Sequence, residues 1–258
     1  MAVPVIHLVT EGATERQVGK VLYGDHGLLS DRAQPMPRDW RSIYGKSREG
    51  YEQVIKALRE EAGFQHMAQD GGCLLLMFDQ EDSPSPSARA EMIKQDLSEG
   101  SHAGFWSAIE WQKINALENV FECWIGNLHI VLHVANAVAP MADAYHLTLN
   151  RDFDGYILQL LQGPHKETIA QNIVPNGQNP RGLLRKAEQE MTALMRNNGY
   201  PWYRNKSWLY AYITAFQFRQ SHTWFAAEVV RHTPRQELER VFASLIVSWN
   251  VLIEGGAQ

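Results

Sequence analysis

Residues 3–23, VPVIHLVTEGATERQVGKVLY, set the architecture expected at the start of this chain. Val3–Val9 is a short apolar run rich in β-branched residues, which predicts a buried strand. Apolar residues then recur at helical spacing, so Ala13–Tyr23 is predicted to be a helix. Gly12 stands between the two and permits a tight turn. A strand that runs into a helix in this way is typical of an α/β protein.

A second apolar run predicts another buried strand. Cys73–Phe78, CLLLMF, is too short for a helix and follows the turn pair Gly71 and Gly72. A strand that is apolar on both faces is typical of a parallel sheet covered by helices. The apolar spacing of Tyr51–Leu58 predicts an amphipathic helix between the two strands. The first 80 residues therefore favour an α/β architecture with a mostly parallel sheet.

The middle of the chain permits two interpretations. The apolar side chains of Ile114–Leu128 follow the 3.6-residue period, which favours a helix. Gly126 and Asn127 can instead form the turn of a hairpin between FECWI and LHIVLHV. His129–Val134 alternates between apolar and other side chains and is predicted to be a strand.

The last third of the chain is predicted to be helical. From about residue 181 apolar residues recur at helical spacing in four segments: GLLRKAEQEMTALMR, SWLYAYITAFQF, HTWFAAEVV and RQELERVFASLIVSWNVL. We therefore expect an α/β domain over residues 1–135. A mainly helical region over residues 136–258 is expected to pack against it.

Composition limits the class of protein. The chain has 258 residues, of which 45% are hydrophobic, so it can bury a sizeable core. It contains no apolar run of about 18 residues, and its N-terminus lacks the pattern of a signal peptide. Cys73 and Cys123 lie beside apolar residues and are expected to be buried thiols. We expect a cytoplasmic protein without structural disulfides or a membrane segment.

Charge is distributed unevenly along the chain. Residues 1–180 carry 14 basic and 23 acidic residues, whereas residues 181–240 carry 10 basic and 5 acidic residues. An acidic half that holds cations and a basic half that holds phosphates would suit an enzyme acting on nucleic acid.

Acidic residues follow both predicted strands. Glu11 and Glu15 come after the first strand, and Asp79, Glu81 and Asp82 come after the second. The carboxyl ends of strands in an open α/β sheet form the usual site crevice, so the two groups are expected to converge. Converging carboxylates attract a hard cation such as Mg²⁺ or Mn²⁺, which supports phosphodiester hydrolysis. The alternative is that these residues simply end strands in solvent.

The two acidic motifs resemble those of the Toprim domain. That domain is shared by topoisomerases, bacterial primases and nucleases of the overcoming-lysogenization-defect family. VTEGATERQVGKVL is most similar to small stand-alone Toprim proteins of bacterial defence islands, often encoded next to an ABC-type ATPase. The resemblance covers roughly residues 3–135 and implies a Toprim-like sheet.

The resemblance implies roles for the acidic residues. It places the general acid/base or metal ligand on Glu11 and the second glutamate of an ExxxE motif on Glu15. Its Asp-x-Asp pair falls on Asp79 and Glu81, where glutamate replaces the second aspartate. Asp82 follows immediately and is an alternative ligand.

Further residues are candidates for supporting roles. Lys46 lies in the loop after the first helix, where it can neutralise a phosphate or stabilise developing charge. Glu122 matches a Glu-aromatic motif that relatives carry on a later helix. Asp152 and Asp154 form another Asp-x-Asp pair directly before an apolar helix. For these two aspartates a capping role is the favoured interpretation.

The resemblance thus implies a Mg²⁺- or Mn²⁺-dependent nuclease acting on DNA or RNA in anti-phage defence, with an ATPase partner. The alternative is a catalytically degenerate Toprim subunit, regulatory or effector, that docks on an ABC-type ATPase. A primase-like phosphotransferase is less favoured, because no zinc ribbon or nucleotide-binding motif accompanies the acidic motifs. Homo-oligomerisation is compatible with either function.

Overall fold

The computed structural model describes residues 5–22, 34–36, 50–114, 117–144, 150–199 and 204–255. Within these residues six strands form one sheet. They are β1 (Val5–Thr10), β2 (Gln34–Met36), β3 (Gly72–Asp79), β4 (Gln112–Lys113), β5 (Val120–Ile125) and β6 (Leu128–Ala135).

The sheet is mostly parallel, as predicted. Its strand order is β2-β1-β3-β6-β5-β4, in which the first four strands are parallel, β5 runs antiparallel to β6, and the edge strand β4 runs antiparallel to β5. Thr10 pairs with Met77, and Asp79 pairs with Ala135. This register brings the ends of β1, β3 and β6 to the same edge of the sheet.

Helices make up most of the remaining described chain. Before β6 they are α1 (Ala13–Lys20), α2 (Tyr51–Glu60), α3 (Gly63–Asp70), α4 (Pro86–Leu97) and α5 (Ala103–Trp106). After β6 they are α6 (Met141–Ala144), α7 (Phe153–Leu161), α8 (Lys166–Ile173), α9 (Pro180–Arg185), a π-helical turn (Lys186–Met191), α10 (Thr192–Asn197), α11 (Asn205–Ala215), α12 (His222–Arg231), α13 (Arg235–Val241) and α14 (Ala243–Gly255). The helical character predicted beyond residue 181 is confirmed.

Each face of the sheet has its own apolar core. One core joins the sheet to α2, α3, α4 and α5 and includes Leu58 and Trp106. The other joins it to α1 and to the helices that follow β6, and it includes Tyr156 and Trp249. Helix α14 contacts β3, β5 and β6 directly. The C-terminal helices therefore cover a face of the sheet that would otherwise expose apolar side chains.

The helix predicted over Ile114–Leu128 is wrong, and the hairpin alternative is confirmed. Strands β5 and β6 pair antiparallel around Gly126 and Asn127. Side chains of β5 alternate, with Phe121, Cys123 and Ile125 in one core. Because the other face of β5 also carries the apolar residues Val120 and Trp124, its apolar positions fit a helical period by coincidence.

The structure also contains the strand and the two buried thiols that the sequence predicted. The strand predicted at His129–Val134 is confirmed as part of β6. Cys73 and Cys123 are buried free thiols. None of the helices in the described part of the chain combines the length and apolar character needed to cross a bilayer.

Gly155 allows α7 to pack closely on the chain that leaves β6. A Cβ at this position would lie 2.2 Å from the carbonyl oxygen of Ala137. We predict that Gly155→Ala lowers the free energy of unfolding by about 1–3 kcal/mol, because backbone rather than a flexible side chain must move. Urea denaturation measures this change. The matched control is Gly104→Ala in α5, where a Cβ has open space; equal effects of the two substitutions would contradict the prediction.

Candidate metal centre

Three carboxylates converge where β1 and β3 end. One oxygen from each of Glu11, Asp79 and Glu81 lies within 4.8 Å of the other two. Glu11 directly follows β1, Asp79 is the last residue of β3, and Glu81 lies two residues further on. The structure thus brings together the two acidic groups that the sequence placed after separate strands.

Glu11 is held on both its backbone and its side chain. Its backbone N–H donates to the Met77 carbonyl at 3.0 Å. Its Oε2 accepts hydrogen bonds from the Asp79 backbone N–H at 3.1 Å and from Arg89 Nη2 at 3.4 Å. Burial raises the pKa of Glu11, although the Asp79 N–H and the charge of Arg89 oppose the rise. Glu11 is therefore a buried carboxylate with fixed orientation.

Asp79 links the strand ends to a helix of the C-terminal region. Its Oδ1 accepts a hydrogen bond of 2.8 Å from the backbone N–H of Phe153, the first residue of α7. Burial raises the pKa of Asp79 well above its usual range, and the nearby carboxylates of Glu15 and Asp152 add to the rise. A cation bound in the pocket would offset this repulsion between carboxylates.

Glu81 adopts a backbone conformation that is unfavourable for its residue type. Its φ is 52°, in the left-handed region, which costs a non-glycine residue on the order of 1–3 kcal/mol. The backbone N–H of Glu81 donates to the Arg151 carbonyl at 2.9 Å, and Asn150 Nδ2 donates to its Oε2 at 3.1 Å. These bonds hold the longer glutamate side chain within reach of Glu11 and Asp79.

Asp152 and Asp154 belong to the same pocket. Asp152 caps α7 as predicted, because its Oδ1 accepts the Gly155 N–H at 3.0 Å. Both aspartates also line the pocket that contains Glu11 and Asp79. Sequence reasoning missed this second role because capping explained the motif locally. The Asp-x-Asp spacing was the available signal, but its distance from Glu11 depends on how α7 packs.

Asn205 secures this part of the pocket from the C-terminal region. It is fully buried at the start of α11. Its Nδ2 donates to Asp152 Oδ1 at 2.7 Å and to the Asn150 carbonyl at 2.9 Å. Its Oδ1 accepts the Ala139 N–H at 3.1 Å. Its two neighbours in sequence, Arg204 and Lys206, are exposed and line the pocket.

The pocket is a strongly acidic cavity of about 470 Å³ with basic groups in its lining. Its carboxylates are Glu11, Glu15, Asp79, Glu81, Asp82, Asp152 and Asp154, and its basic residues are Arg204, Lys206 and His222. Burial raises the pKa of Glu15 and of Asp152 to about 8 each, with neighbouring carboxylates adding to the rise. Burial also raises the pKa of Asp154 to about 6, although the charge of Lys206 opposes it. Such a cluster binds either protons or cations.

The remaining predicted site residues are placed as follows. Gly12 and Asp82 line the pocket, but Asp82 is not one of the three clustered ligands. Glu122 lies on β5 rather than on a helix, and its Oε2 is 3.1 Å from His129 Nε2. It pairs with Val131, four residues before the end of β6, so the structure does not bring it to the cluster. Lys46 lies outside the described residues.

Comparisons with protein-family models, with curated protein sequences and with solved structures gave no match for this chain. The resemblance to the Toprim domain therefore stays a prediction from the two acidic motifs.

The raised pKa values predict a pH-dependent stability. Glu15 has a usual pKa of 4.5 and a folded pKa of about 8, so the folded chain binds this proton more tightly than the unfolded chain. Stability should therefore fall as pH rises from about 5 to about 8. In EDTA we expect Tm to drop by about 5 °C or more, since 1 kcal/mol corresponds to about 2–4 °C at this size. Differential scanning calorimetry measures the slope of Tm against pH, which excess Mg²⁺ should flatten.

The Glu15→Gln variant should reduce this slope in EDTA. An unchanged slope would contradict the assignment of the raised pKa to Glu15.

The conformation of Glu81 predicts opposite effects on stability and on metal binding. Glu81→Gly should raise the free energy of unfolding in EDTA by about 1 kcal/mol, because glycine tolerates positive φ. It should also weaken Mn²⁺ binding at least about 10-fold. Gln217 has a φ of 55° and is outside the pocket lining, so Gln217→Gly is the matched control. Thermal unfolding and Mn²⁺ titration compare the two; a Glu81→Gly variant that keeps full Mn²⁺ affinity would remove Glu81 from the ligand set.

Proposed function

We propose that this protein is a Mg²⁺- or Mn²⁺-dependent nuclease of Toprim type that hydrolyses phosphodiester bonds in DNA or RNA, in defence against phage. The observation that carries the proposal is the convergence of Glu11, Asp79 and Glu81 within 4.8 Å at the ends of two neighbouring parallel strands. The parallel arrangement places these carboxylates in the crevice where α/β sheets hold their ligands.

The donor set suits a hard divalent cation. All three clustered ligands are carboxylate oxygens, and further carboxylates stand around them. Oxygen-only sites favour Mg²⁺ and Mn²⁺ over softer metals. When bound, such an ion supplies Lewis-acid stabilisation of charge on the phosphate oxygens and lowers the pKa of water.

The chain's own residues have distinct tasks in this proposal. Glu11, Asp79 and Glu81 hold the cation, and Asp152 and Asp154 enlarge the oxygen shell on the side of α7. Glu15 is buried, has a pKa raised to about 8, and lies in the same pocket. A carboxylate in that range can exchange a proton with a reacting oxygen near neutral pH.

Basic side chains in the pocket lining favour a phosphate-bearing substrate. The acidic floor alone would repel a polyanion. Arg204 and Lys206 are exposed beside it and belong to the basic C-terminal segment noted in the sequence. Cations at the mouth of such a cavity attract the phosphate backbone, and the attraction weakens with salt.

Metal-dependent cleavage tests the proposal. Plasmid DNA and single-stranded RNA would be incubated with the purified protein and Mg²⁺ or Mn²⁺, with EDTA as the negative control. Glu11→Gln and Asp79→Asn should each reduce the cleavage rate at least about 100-fold, beyond the 10- to 100-fold cost of losing an outer-shell partner. Asp70→Asn is the matched control, because Asp70 is exposed and precedes the opposite end of β3. Full activity in both site variants would refute the site.

A second candidate function is a non-catalytic subunit that docks on an ABC-type ATPase. One observation favours it: an apolar cleft of about 380 Å³ between α10 and α11, lined by residues that include Met195, Leu194 and Tyr210. Leu194 is 53% exposed and Tyr210 is 46% exposed. Exposed apolar clefts commonly bind protein partners. Stable co-purification with the ATPase, without cleavage under Mg²⁺ or Mn²⁺, would favour this function over the nuclease.

A further inference from the structure

Arg89 occupies a position that helix electrostatics do not explain. It lies in the first turn of α4 and is 5% exposed. The start of a helix carries a partial positive charge, so a cation there is unfavourable. Burying a charged group adds a further cost unless the group is fully paired. A stability role alone would not place an arginine at this point.

The pairing of Arg89 is incomplete. Its Nη2 lies 3.4 Å from Glu11 Oε2, longer than the 2.7–2.9 Å typical of a charge-assisted hydrogen bond. Its Nε is buried and has no hydrogen-bond partner among the described residues. Arg89 is therefore a buried donor with incomplete hydrogen bonding, and it lies beside the Glu11 carboxylate of the candidate metal centre.

A stacked aromatic ring holds the orientation of Arg89. The guanidinium lies 4.1 Å from the centre of the Tyr51 ring, within the range of a cation–π interaction. The Tyr51 hydroxyl in turn donates to the carboxylate of Asp96, on the same helix as Arg89. The Tyr51 ring, itself held by Asp96, therefore restrains the guanidinium of Arg89.

We propose that Arg89 is a positioning residue for the metal centre. Arg89 and the Asp79 backbone N–H both donate to Oε2 of Glu11, so in this proposal Oε1 is the oxygen that binds the cation. Arg89 thus makes Glu11 a single-oxygen ligand of fixed direction. This inference rests on the metal centre of the proposed function, but not on its catalytic step.

Two physical effects of removing Arg89 have opposite signs. Removing a positive charge beside a divalent cation lowers repulsion and would tighten metal binding. Releasing Glu11 from its fixed orientation would weaken it, and losing an outer-shell partner typically costs 10- to 100-fold in metal affinity. Positioning predicts the second outcome, so the sign of the change identifies the role.

The test is the Mn²⁺ dissociation constant, measured by electron paramagnetic resonance of the free ion. Arg89→Met should raise it about 10- to 100-fold. Arg89→Lys keeps the charge but loses the planar guanidinium, which stacks on Tyr51 while it donates to Glu11. It should therefore raise the Mn²⁺ dissociation constant by a smaller factor. Arg59→Met is the matched control, because Arg59 also contacts the α4 segment, at the Asp96 carbonyl and Glu99. Calorimetry in EDTA verifies that each variant is folded.

The outcomes separate the positioning role from the proposed function. Unchanged or tighter Mn²⁺ binding by Arg89→Met overturns the positioning role. If that variant does not fold, Arg89→Lys decides, and an unchanged constant overturns the role. Wild-type protein that binds no Mn²⁺ overturns both the metal centre and this inference. Wild-type protein that binds Mn²⁺ but cleaves no nucleic acid overturns the nuclease alone.

Discussion

Mutual repulsion among carboxylates is the constraint around which this structure is built. Parallel pairing of β1 with β3 brings Glu11 and Asp79 to one edge of the sheet, where loss of solvent raises the pKa of both carboxylates. Hydrogen bonds offset part of the cost of burying these charges. Backbone N–H groups donate to Glu11 and Asp79, the Arg89 guanidinium donates to Glu11, and the Asn205 amide donates to Asp152. A fold shaped only by stability would avoid this arrangement, because apolar residues of similar volume would cost less.

The pocket is assembled from both halves of the chain. The sheet supplies Glu11 and Asp79, whereas Asp152 and Asp154 come from the start of α7. The Phe153 N–H joins the two parts by donating to Asp79, and Asn205 holds Asp152 and Asn150 with hydrogen bonds that span more than 50 residues of sequence. The packing of α14 on β3 and β6 keeps this region on the sheet. The helical region therefore completes the site in addition to covering a core.

The sequence predicted the elements that are determined locally, and it failed where distant packing decides. The two apolar runs identified β1 and β3, and parallel-sheet geometry then predicted that Glu11 and Asp79 would meet. The helical period gave the wrong prediction for β5, because a strand with apolar residues on both faces fits that period as well. The pocket roles of Asp154 and the position of Arg89 depend on how helices pack, which no local pattern encodes.

The late position of Asn205 has a consequence during synthesis. A chain emerging from the ribosome presents both strand ends long before α11 exists, and domains generally fold as units once their parts are available. Until residues 204–206 have emerged, the bonds from Asn205 to Asp152 and to the Asn150 carbonyl cannot form. The part of the pocket that Asp152 lines can therefore reach its final arrangement only after residues 204–206 have been synthesised.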